Sequence, residues 1–207
     1  INQLLDSKWI YVSIPLGFLL ISIFHLISLA TRKLSMSIAS VANKMSVVLP
    51  VLFSVIVLNE SLNALKITGI VLALIALYFA TYSKKDNTSQ NKQLIYLPIL
   101  VFIGSGLIDV AINATKAFYV HNDQDGEMFT VSSFAFAFII GLSVIGFQKI
   151  RGKFSGKSDM VPFEIKSIAG GILLGIPNYF SIFFIIKALE SNVLSSAQIF
   201  PLLNISN

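Results

Sequence analysis

The ionisable side chains that could do chemistry are the few lying inside long apolar runs. In hydrocarbon each costs roughly 3 kcal/mol or more and so implies a partner or a water-filled cavity. Lys44 is the clearest, about two turns into its run in SVANKMSVV, with Ser40, Asn43 and Ser46 beside it. It reads as a cavity cation that attracts an anionic group or pairs with a carboxylate; the competing reading is a lysine that snorkels to the interface. Asp109 lies in GSGLIDVAINATK, and its i, i+4, i+7 spacing to Asn113 and Lys116 places all three on one helical face. That carboxylate could bind a proton or cation, neutralise Lys44, or serve a purely structural hydrogen bond or ion pair. Gly104 and Gly106 allow another helix to approach one turn earlier. In Gly175-Ile-Pro177-Asn178-Tyr179-Phe-Ser181 a helix-bending proline adjoins three polar side chains. This predicts a cavity lining, against plain packing curvature. The expected substrate-lining set is therefore Asn43, Lys44, Asp109, Asn113, Asn178 and Tyr179. His25, between Ser22 and Ser28, could relay protons; a hydrogen-bonded packing histidine is the favoured reading.

Sharper motifs fail. His121-Asn-Asp123-Gln-Asp125-Gly126-Glu127 resembles the start of an EF-hand loop, but position one is His and position twelve is Ser132, so a solvated acidic loop is expected. Walker A, HExxH and Gly-x-Ser-x-Gly sequences do not occur, and no cysteine can act as nucleophile, pair in a disulfide or ligate a metal. The reading is of a non-enzyme, with no cofactor and no metal.

The elements that must position these residues are membrane helices. Hydrophobic residues are 55% of the chain and charged residues 12%, with a mean hydropathy of +0.81. A soluble domain carries about a quarter charged residues because its surface must be wetted. Apolar stretches of spanning length recur at Trp9–Ala30, Met36–Leu58, Ala64–Tyr82, Leu94–Phe118, Phe129–Phe147 and Ile165–Ile186, and a partial one begins near Val193. The expected fold is thus an all-α integral membrane bundle with about six full spans plus a piece. Within residues 36–85, an apolar run containing Pro50 ends at Asn59-Glu60-Ser61 and a second begins almost at once, which predicts an antiparallel hairpin with Glu60 at its turn.

The net charge of +5 does not indicate nucleic acid, because the basic residues cluster at the ends of apolar runs. Connections at Thr31–Ser35, Ser83–Gln93 and Lys149–Lys166 are rich in Lys and Arg. Those at Asn59–Asn63, Tyr119–Met128 and Lys187–Asn192 hold Lys187 as their one basic residue, among acids. The two sets alternate, so the first is assigned to the cytoplasm. Residues 83–93 (SKKDNTSQNKQ) form the polar linker between 1–82, the C-terminal part of one repeat, and 94–207, an incomplete second repeat. A short match supports that division: Ala30, Ser37, Ala39 against Ala188, Ser195, Ala197. Beginning at Ile1 without Met and stopping inside an apolar segment, the chain reads as a fragment lacking helices at both ends.

With these features, the chain resembles the drug/metabolite transporter superfamily, specifically its EamA-like members. The likeness rests on Ala39-Ser40-Val41-Ala42-Asn43-Lys44, Pro50-Val51-Leu52, the Asn-Glu60-Ser turn and Gly69-Ile-Val-Leu-Ala. In the second half it rests on Lys187-Ala188-Leu189, Ser195-Ser196-Ala197 and Pro201. The resemblance implies two inverted five-helix repeats around a central substrate cavity. Glu60 would take the family's acidic position after the fourth helix. The superfamily's usual orientation would place Thr31–Ser35 outside, whereas the charge count places it inside.

The expected function is a secondary carrier of a small metabolite, working by alternating access. Glu60 is read as a structural anchor that holds helix ends through hydrogen bonds. Two other classes stay open: a membrane-embedded lipid-modifying enzyme, which would need an acid/base or metal cluster at one interface, and a non-transporting assembly or sensor subunit. The expected partners are the lipid bilayer and a small-molecule substrate. A coupling proton or cation and a homodimer are compatible with the sequence. A single bilayer without disulfides fits a bacterial inner membrane.

Overall fold

Long apolar runs bounded by charge can satisfy their backbone in a bilayer only as helices, and helices are what these residues form. The computed structural model describes residues 9–60, 64, 67–69, 71, 72, 75, 96–120, 122–155, 165–191 and 196–200. Its helices are α1 (Ile10–Lys33), α2 (Met36–Met45), α3 (Val48–Ile56), α4 (Tyr96–Phe118), α5 (Asp123–Ser155) and α6 (Ile165–Glu190). Residues 196–200 are also helical, and the described residues contain no strand. Five stretches among them are long and apolar enough to cross a membrane: Ile10–Lys33, Met36–Ile56, Tyr96–Phe118, Gln124–Phe147 and Ile168–Glu190. Each covers one of the expected spans. The sixth, Ala64–Tyr82, falls mostly outside the described residues, apart from helical positions at 64, 67–69, 71, 72 and 75. The linker 83–93, His121, Ser195 and Pro201 also lie outside them.

Large apolar side chains face outward, among them Leu173 at 75% exposed, Leu174 at 72% and Phe138 at 66%. In water such a surface would drive aggregation; around helices of spanning length it is the surface that lipid solvates. Together with the five spans it makes this an integral membrane protein.

Two expectations are corrected. The run Met36–Leu58 was expected to be one helix; its span is built of two, α2 and α3, parted at Ser46–Val47. Pro50 stands in the first turn of α3, where its missing N–H costs little, and the irregular turn falls in front of it. The acidic stretch 123–128, expected as a loop, is the first turns of α5. Asn122 Oδ1 accepts the Asp125 N–H at 2.8 Å, a helix cap, and acidic groups favour the positive end of a helix dipole.

Helix α1 packs most extensively on α5 and α4, and α4 also receives α2 and α3. Small residues make these approaches possible. A Cβ on Gly17 would stand 2.8 Å from the Ala137 backbone nitrogen of α5; Gly104 lies against Ile23 of α1, and Gly106 against Leu49 of α3. Toward the ends Trp9 and Leu189, a core gathers Leu16, Leu20, Ile112, Phe129, Ile185, Ile186, Ile199 and Phe200. Near the basic connection between α1 and α2, a smaller cluster joins Ala30, Ala39, Ala42, Leu97 and Val101. Ser35 caps α2 there by accepting the Ile38 N–H at 3.3 Å.

Candidate substrate cavity

Between α1, α2, α4 and α6 lies a cavity of about 260 Å³. Its walls combine apolar side chains, Leu20, Ile23, Phe24, Ile27, Ile108, Ile112, Ile182 and Ile185, with a comparable share of polar surface from Asn43, Ser46, Ser105, Asp109, Asn178 and Ser181. An apolar pocket with a few convergent polar groups is the usual form of a small-ligand site, and this volume suits a small metabolite rather than a drug-sized molecule.

Each polar group arrives for a local reason. Asn43 is at the end of α2, and Ser46 sits in the turn before α3, where its Oγ donates to the Asn43 carbonyl at 2.6 Å. The same carbonyl accepts the Ser46 backbone N–H at 3.3 Å, so both bonds close the end of the interrupted helix. Ser105 and Asp109 are one turn apart on α4, and the Ser105 hydroxyl donates to Asn43 Oδ1 at 2.6 Å, tying α2 to α4. Asn178 and Ser181 follow Pro177 in α6. Asp109 has no hydrogen-bond or ion-pair partner among the described residues.

Of the expected lining residues, Asn43, Asp109 and Asn178 meet in this cavity. Lys44, Asn113 and Tyr179 are not among its walls. Lys44 is half-buried beside Asn43. Asn113 is 1% exposed and donates to Ser54 Oγ of α3 at 2.8 Å, while Ser54 donates to the Pro50 carbonyl at 2.9 Å. Tyr179 packs edge-on against Phe134 of α5, with ring centroids 5.5 Å apart, and stacks on Phe183. His25 is exposed on α1, outside the cavity walls. Ser46 and Ser105 were missed as lining residues. Their spacing could have shown them, three residues after Asn43 and four before Asp109, on the same helical faces.

Glu60 follows α3, and residues 61–63 of the expected hairpin turn lie outside the described residues. Asn59 takes a left-handed conformation (φ 54°), which asparagine tolerates, and the Glu60 N–H reaches back to the Ser54 carbonyl at 3.2 Å. The carboxylate then accepts the backbone N–H groups of Ser196 at 3.0 Å and Ala197 at 3.1 Å. A residue of the first half thus caps the helical segment 196–200 of the second. At the junction of α5 and α6, Lys187 Nζ lies 3.2 Å from Glu127 and 3.5 Å from Glu190.

Spanning helices, an interrupted helix and a partly polar cavity between helices place the chain among polytopic membrane proteins. Residues 1–82 match the model of the EamA-like transporter family. The matched family is one of membrane transporters. An uncharacterized protein of Haemophilus influenzae is 27% identical over 198 residues, covering 94% of this chain and 62% of that relative. The chain therefore spans less than two thirds of the length of the curated relative it matches. No solved structure matches it.

Proposed function

We propose that the protein is a secondary carrier that moves a small metabolite across a bacterial inner membrane by alternating access, with the α1/α2/α4/α6 cavity as its substrate site. The observation that carries this reading is the cavity itself: one carboxylate and five hydrogen-bonding side chains converge in an otherwise apolar space inside a membrane bundle of transporter-family sequence. Two inverted five-helix repeats, divided at 83–93, supply the symmetry from which alternating access follows. The interrupted α2/α3 helix supports it, since irregular backbone at membrane depth is tolerated where it lines a cavity. In this reading Asn43, Asp109 and Asn178 contact substrate. Asn113 and Tyr179 hold the helices that carry them, and no catalytic step is involved.

The test is solute counterflow in proteoliposomes containing the full-length protein. Preloaded vesicles should accumulate labelled external solute against its gradient, and Asn178→Ala should cut the rate by about tenfold or more, as loss of one hydrogen bond to a charged group would. A screen of amino acids, amines, sugars and nucleotide sugars that finds no counterflow, with correctly inserted protein, overturns the carrier.

A further inference from the structure

The hydrogen bonds around Asp109 restrict what the cavity can hold. The Ser46 hydroxyl proton is committed to the Asn43 carbonyl, and the Ser105 hydroxyl proton to Asn43 Oδ1. Each serine is left with oxygen lone pairs and no proton to offer. Asp109, one turn from Ser105, is an acceptor only when ionised, has no partner among the described residues, and is the one ionisable group in the described walls. With Asp109 ionised, that cluster is rich in acceptors and negative, and isoleucines and Phe24 line the space beside it. A carboxylate held in such a space gains most from a cation that also donates several hydrogen bonds.

We propose that the cavity is selective for a compact primary amine, its ammonium group on Asp109, Ser46 and Ser105 and its apolar part along the isoleucine wall. An ammonium offers three N–H donors, matching three acceptors. The described walls contain no cation, so a carboxylate on the ligand finds no counter-charge there. This selects amines over amino acids and over acids. The proposal rests on the cavity being the substrate site of the carrier described above.

The probes are phenethylamine, phenylalanine, 2-phenylethanol and 3-phenylpropionate, with equilibrium binding to the purified full-length protein measured in sodium-containing and sodium-free buffer. Phenethylamine should bind at least about tenfold more tightly than each of the others, the worth of one charge-assisted hydrogen bond. Asp109→Asn, nearly isosteric, should erase the preference over 2-phenylethanol. Ser105→Ala should weaken phenethylamine by a few-fold while retaining the order of the four. Both variants must elute as the wild type does on size exclusion; should Asp109→Asn fail this, Asp109→Glu replaces it and should keep the amine preference with altered affinity. Equal binding of phenylalanine, a preference that survives Asp109→Asn, or saturation of the site by sodium in place of amine each overturns the proposal. Counterflow of a neutral or anionic solute without amine preference sinks this inference and leaves the carrier standing. Amine binding without flux sinks the carrier and leaves the amine site standing.

Discussion

Asn113 and Asp109 share one face of α4, one turn apart, yet they have different surroundings. Asn113 is sealed between α3 and α4, its amide on Ser54, whereas Asp109 looks into the cavity. Sequence spacing found the face but not this division, because which side chain meets a neighbouring helix depends on where that helix crosses. For the same reason Lys44 and Asn43, adjacent in sequence, part company: only Asn43 is a wall residue. Interhelical hydrogen bonds within membranes are worth about 0.6 kcal/mol on average and at most about 1.7 kcal/mol. Asn113→Ala and Ser54→Ala should therefore each destabilise the folded protein by about 1 kcal/mol in a steric-trapping measurement. The double variant should cost less than the two together, because both remove the same bond. Strict additivity would mean that the bond contributes nothing. Counterflow by Asn113→Ala should stay near wild type.

Elements were more legible than contacts. Hydropathy located each described span, since a run of apolar residues bounded by charge has one stable form in a bilayer. Boundaries were less so. The start of α5 was hidden because its acidic residues read as solvated loop, while their role is to begin a helix under the Asn122 cap. The interruption at Ser46–Val47 was announced by Pro50 but lies ahead of it. Helix spacing gives a further prediction. Gly17 meets backbone atoms of α5, which cannot rotate away, whereas Gly146 has nothing within 4 Å of where a Cβ would be. Gly17→Val should force α1 from α5, cost about 1–3 kcal/mol by overpacking and lower the thermal midpoint. Gly146→Ala should leave it unchanged. Equal effects would refute the close approach as a determinant of packing. After α3, Glu60→Gln leaves one oxygen to accept two N–H groups. The lost charge-assisted bond should cost about 1.5–3 kcal/mol, read as earlier thermal unfolding, while Asn59→Gly, which suits positive φ, should be tolerated.

For the molecule as a whole, the charge distribution makes a statement about sidedness that packing alone does not. The sequence contains no cysteine, so single cysteines report position without background from this chain. In intact cells a membrane-impermeant maleimide should label Asn122→Cys and reach Asn87→Cys only after permeabilisation. Labelling of Asn87→Cys in intact cells would invert the assigned orientation. The Glu60 cap also has a consequence in time. Its acceptor side leaves the ribosome 136 residues before the Ser196 N–H that completes it. At about 5–20 residues per second, that interval is on the order of ten seconds. The earlier helices must enter the bilayer and hold their places without this contact, so the first half is a provisional structure until the second arrives. Long-range closures of this kind are slow steps, because the chain entropy is lost before the contact forms. Biogenesis of this protein is therefore complete only when residues 196–200 fold back onto a turn made long before them.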